Sequence, residues 1–104
     1  MKKISKKAVE IVEKYGCIDK IVGEEWEYLL KQIDKLYPDF AVDSNIWNMK
    51  ITEEYFGEFQ QDGQYCLQST IGESEDCFRG IYYFPTTDGR YLAVMRRNLI
   101  NKNS

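Results

Sequence analysis

Seven carboxylates and not one lysine or arginine lie between Ile51 and Phe78: Glu53, Glu54, Glu58, Asp62, Glu73, Glu75 and Asp76. Carboxylates at this density can serve acid–base chemistry, hold a divalent cation, or act purely as charge. Acid–base work needs two of them facing one substrate. Glu53 and Glu54 are adjacent, and adjacent side chains on a strand point to opposite faces. Cation binding needs ordered oxygen ligands, and Glu73-Ser74-Glu75-Asp76 lacks the ligand spacing and central glycine of an EF-hand loop. Other catalytic routes close for want of residues. The chain has no histidine, so neither a Ser-His nor a Cys-His couple can form. Cys17, Cys66 and Cys77 are its three cysteines, too few for an all-cysteine structural zinc site within one chain. Odd in number, widely spaced and without a C-x-x-C pair, they read as small apolar side chains rather than a disulfide framework. Neither a G-x-G-x-x-G nor a Walker A loop occurs. The expectation is a non-enzymatic protein with no catalytic residue, metal or cofactor.

What remains is charge. Residues 1–50 carry nine lysines against nine acids, and residues 79–104 carry five basic residues against Asp88 alone. The acidic middle therefore has no counter-charge of its own. Its anions repel one another over a screening length of about 8 Å at physiological salt. A cationic partner would relieve that repulsion and be steered toward it. The candidate partner-binding residues are Glu53, Glu54, Glu58, Asp62, Glu73, Glu75 and Asp76, with Tyr55 or Phe56 as an aromatic anchor. Basic proteins in a cell are mostly nucleic-acid-handling ones, so the expected role is an inhibitor docking on such a protein. In size and charge the chain resembles small phage-borne inhibitors of host defence and small immunity proteins. A second reading places a small ligand or single-stranded nucleic acid on Tyr82, Tyr83, Tyr91, Arg96 and Arg97. The sequence pI near 5.0 argues against direct nucleic-acid contact.

These residues need elements to hold them. The 104 residues are expected to form one domain, 1–104, of α+β class. Ile4, Ala8, Ile11, Val12 and Tyr15 make one apolar stripe and predict a helix over about 4–15, capped by Ser5 and stopped by Gly16. A second helix is expected over about 19–37, starting at Asp19 or after Gly23 and ended by Pro38. Its stripe is Val22, Trp26, Leu29, Leu30, Ile33 and Leu36 or Tyr37. The short link makes the pair antiparallel. It is expected to pack on one face of a four-stranded antiparallel β-meander, with strands about 49–60, 64–71, 79–85 and 90–97 and a break near Glu53-Glu54.

Two Asp-Gly turns set the register. At Asp88-Gly89 either a two-residue loop or a three-residue loop with a left-handed Gly89 is open. The three-residue form puts Tyr82, Phe84, Leu92 and Val94 on one face and Ile81, Tyr83, Tyr91, Ala93 and Met95 on the other. Both faces are apolar, so both need covering, or one is held for a homodimer or partner. At Asp62-Gly63 the three-residue form is preferred, with Tyr55, Gly57, Phe59, Tyr65, Leu67, Ser69 and Ile71 on one face. No apolar run approaches the ~20 residues of a membrane span. No hydrophobic signal core follows the basic N-terminus, so a cytoplasmic protein without membrane contact is expected.

Overall fold

A computed structural model describes residues 2–40, 44–60, 63–69 and 77–99. The first helix, α1 (Lys6–Tyr15), begins where Ser5 Oγ accepts the Ala8 N–H. It ends at Gly16, whose φ of 73° lets its N–H turn back to the Val12 carbonyl. Ile4 lies outside the helix. It makes a parallel bridge with the hairpin at Thr86, donating to Pro85 O at 2.8 Å and accepting from Thr87 N at 3.0 Å. A 3-10 turn (Ile18–Lys20) leads to α2 (Gly23–Leu36). The apolar stripe of α2 begins at Trp26, since Val22 is exposed before the helix. The helices run antiparallel, because Ser5 bonds Tyr28 and Gln32 while Tyr15 at the other end bonds Glu25.

The sheet is antiparallel and has five strands: β1 (Ser44–Thr52), β2 (Glu58–Phe59), β3 (Cys66–Ser69), β4 (Cys77–Pro85) and β5 (Tyr91–Leu99), in the order β1-β5-β4-β3-β2. Strands β2 to β5 form the expected meander. The strand predicted over 49–60 divides, starting at the expected Glu53; the difference is where its halves go. Its first part pairs with β5 and its second with β3, so the two pieces lie at opposite edges. The break falls at Glu53 to Gly57, and Gly57 takes a φ of 109° that strand residues avoid.

The β4–β5 hairpin has the three-residue form. Thr86 N donates to Arg90 O, and Gly89, with φ 86°, donates to Thr86 O. Phe84 pairs with Leu92 and Tyr82 with Val94, so the two predicted faces separate as expected. The first hairpin differs from its expectation. Phe59 pairs with Cys66, and Gln60 N donates to Tyr65 O. Its loop therefore contains one more residue, Gln64, and Phe59 shares a face with Cys66 rather than with Leu67. The preference for a three-residue loop assumed one polar face; here both faces are apolar, and the longer loop sends Phe59 to the second of them.

One face carries Met49, Tyr82, Phe84, Leu92 and Val94, buried with Ile4, Ala8, Ile11, Val12, Leu29, Ile33 and Phe40 from the helical side. The other carries a smaller cluster, Cys66, Tyr83, Ala93 and Met95, with Phe59, Ile81 and Tyr91 at its margin. Among the described residues no helix is long and apolar enough to cross a membrane.

Candidate functional site

The division of the predicted first strand has a geometric consequence. Thr52 ends one edge strand and Glu58 begins the other. Four inter-strand gaps of about 4.8 Å separate those edges, and the register sets Glu58 level with Met49, three residues from Thr52, so the two lie about 21 Å apart across the sheet. Six Cα steps from 52 to 58 reach only about 20–22 Å when extended. Residues 53–57 must therefore cross the sheet with little slack. They form a strap over the face away from the helices.

Several contacts pin it. Thr52 Oγ1 donates to Glu54 O at 2.8 Å. The Tyr55 ring meets Phe59 and Tyr91 edge-on, with centroids 4.9 Å away in both cases. Cys66 Sγ donates to Phe56 O at 3.2 Å. Gly57 lies against β3 so closely that a Cβ there would stand 2.2 Å from Leu67 O. The cross-sheet row beneath is Lys50, Ala93, Tyr83 and Cys66, with the smallest side chain in a central strand. Burial first, and the Glu58 carboxylate second, push the Cys66 thiol up from its ordinary range. The Tyr83 phenol is pushed up mainly by burial and donates to Gln68 Oε1 at 3.0 Å.

With its backbone fixed to the sheet, the strap leaves its side chains open to solvent. Glu53, Glu54 and Glu58 are exposed, and none takes part in the ion pairs formed among the described residues. Tyr55 and Phe56 are 42% and 56% exposed, two of the large apolar side chains most open to solvent. Between strap and sheet lies an open hollow of about 340 Å³ lined by Lys50, Thr52, Glu53, Glu54, Phe56 and Tyr83. Comparison with known proteins gave no matching family model, no matching curated protein and no matching solved structure.

Five of the nine candidate residues are thus brought together: Glu53, Glu54, Tyr55, Phe56 and Glu58. Asp62, Glu73, Glu75 and Asp76 lie outside the described residues. The expectation that Glu53 and Glu54 point to opposite faces of a strand fails, because both are on the strap and line one hollow. Sequence reasoning missed Lys50, Thr52 and Tyr83 at the hollow and the close approach of Gly57 at the end of the strap. The signal for Gly57 was available, since an isolated glycine within a strand pattern often marks close backbone approach.

Three of the five residues of the second reading, Tyr82, Tyr83 and Arg96, are internal, and Tyr91 is half-buried. Arg96 is 3% exposed and lies inside an aromatic cage. Its guanidinium carbon is 4.2 Å from the Phe40 ring, 4.6 Å from Tyr82 and 4.9 Å from Tyr37. It donates to Phe40 O and to the Tyr37 hydroxyl. Tyr82 and Tyr83 are buried as well. Arg90 is held by Asp88 and Glu13, and it keeps the Asp88 carboxyl well below the usual carboxylate range. On both faces of the hairpin the central side chains are buried within one chain.

Proposed function

We propose that this protein is a non-enzymatic binding module that docks a cationic protein surface on the 53–58 strap, in the manner of an inhibitor. The observation that carries this reading is the pairing of carboxylates that form no ion pair among the described residues with two exposed aromatic rings on one pinned segment. Exposed rings on a fixed backbone can enter a partner's pockets at little entropic cost. The surrounding carboxylates speed encounter and reject anionic surfaces. The partner class is a basic, nucleic-acid-handling protein, whose own anion-binding groove supplies the complementary charge. A phage or mobile-element inhibitor of host defence fits that chemistry.

The test compares wild type with the Glu53→Lys/Glu54→Lys variant in affinity capture from the native host, followed by mass spectrometry. Thermal melting of both proteins is measured alongside. The expected result is a basic protein held by wild type, lost by the variant and weakened at high salt, with melting nearly unchanged. Equal capture by both proteins would mean that the carboxylates serve solubility alone.

A further inference from the structure

We infer that the hollow between the strap and the sheet is a seat for a single arginine side chain of the cationic partner, an inference that rests on the docking reading above. The lining has the parts a guanidinium uses. Phe56 supplies an exposed aromatic ring above the buried Tyr83, Glu53 and Glu54 supply carboxylates, and Thr52 supplies a hydroxyl. A volume of about 340 Å³ is room enough for a long side chain. Arginine suits this lining better than lysine. Its guanidinium is planar and weakly hydrated, stacks on rings, and meets carboxylates through a fork of donors. The same fold already holds one guanidinium among rings, that of Arg96 against Tyr37, Phe40 and Tyr82.

One lining residue opposes the guest. Lys50 projects from β1 into the same hollow, and it makes no ion pair among the described residues. Its ammonium repels an incoming cation, so removing that charge should improve binding. A generally acidic surface would respond to Glu53 and Glu54 but would not single out Phe56, and would not prefer arginine.

The test titrates the intact protein with nona-arginine and nona-lysine peptides by calorimetry at moderate salt, with amide chemical shifts followed by NMR. Nona-arginine is expected to bind about fivefold or more tighter than nona-lysine. Phe56→Ala should weaken nona-arginine binding by about five- to tenfold. Lys50→Met should tighten it by about threefold. Shifts should concentrate on Lys50, Thr52, Phe56 and Tyr83. Both substitutions are at exposed side chains, so melting temperatures should stay close to wild type. If the two peptides bind alike and neither variant changes affinity while Glu53→Lys/Glu54→Lys abolishes binding, the arginine seat is overturned and the acidic docking surface stands. If neither peptide binds, the seat is overturned too, and the capture experiment decides the docking reading separately.

Discussion

Gly57→Ala should lift the strap off the sheet without unfolding the protein. The added Cβ would lie 2.2 Å from Leu67 O and 2.9 Å from Leu67 C, both backbone atoms of a paired strand that cannot swing aside. Gly57 also has a φ of 109°, where an alanine costs about 1–3 kcal/mol before any clash is counted. Relief by lifting gives up the Cys66-to-Phe56 hydrogen bond and the two edge-on contacts of Tyr55. Those losses resist detachment, so the strap should open in a sizeable fraction of molecules rather than in all. A shift of about 2 kcal/mol toward the open state raises its population about 30-fold. Cys66 reports that population, because its side chain is fully buried under the strap while Cys17 is partly accessible. The assay is alkylation at fixed pH with each cysteine resolved by peptide mass spectrometry. Cys66 in Gly57→Ala should label about 30-fold faster relative to Cys17 than in wild type, and the melting temperature should fall only modestly. Gly89→Ala is the control, with a positive φ of 86° but nothing within 4 Å of the added carbon. It should leave the Cys66 ratio unchanged. Equal Cys66 labelling in wild type and Gly57→Ala would refute the strap's attachment.

Two further predictions concern the core. Arg96→Ala removes a donor from Phe40 O and the Tyr37 hydroxyl and empties an aromatic cage, and should cost about 3–5 kcal/mol. Arg96→Met keeps the volume and discards the buried charge, so it should cost clearly less; urea unfolding at constant slope measures both, and an Arg96→Ala loss under about 1 kcal/mol would contradict the cage. Stability should also fall as pH rises from about 9, because burial raises the Cys66 thiol and the Tyr65, Tyr82 and Tyr83 phenols above their ordinary 9.0 and 10.0. The unfolded chain sheds those protons first, so stability is complete below the unfolded values and is lost as pH climbs through the folded ones. Tyrosinate absorbance should show a late cooperative step with unfolding, whereas smooth titration of every tyrosine at its ordinary value would count against it.

Much of this fold is legible from residue patterns, and the misses share one cause. Ser5, Gly16 and Gly89 act locally, through a cap, a left-handed stop and a turn, and each stands where its chemistry implies. The α+β class and the two apolar hairpin faces follow from periodicity in the same way. The strap depends instead on which strand takes the outer place beside β5, a non-local choice. An alternating pattern from Met49 to Gln60 reads as one strand whether or not its halves are neighbours. The burial of Arg96, which the second reading placed on a binding surface, is hidden for a similar reason. Its place on β5 predicts the face it occupies, but the cage comes from Tyr37 and Phe40, far off in sequence and beyond the reach of a strand pattern.

The strap divides its work between backbone and side chains, and that division bears on what it is for. Closing the second sheet face needs the Phe56 carbonyl, the Gly57 backbone and one ring from Tyr55. It does not need a phenylalanine side chain that is 56% exposed, nor three carboxylates without ion partners among the described residues. A serine at 56 would present the same carbonyl to Cys66 and hydrate better. An exposed ring gives up the favourable transfer from water that burial of its apolar surface would bring, roughly 25 cal/mol per Å². Only burial against something outside the chain recovers that term. On the docking reading proposed above, the carboxylates restrict the partner to surfaces of positive potential, since an anionic or purely apolar one would leave three charges desolvated and unpaired.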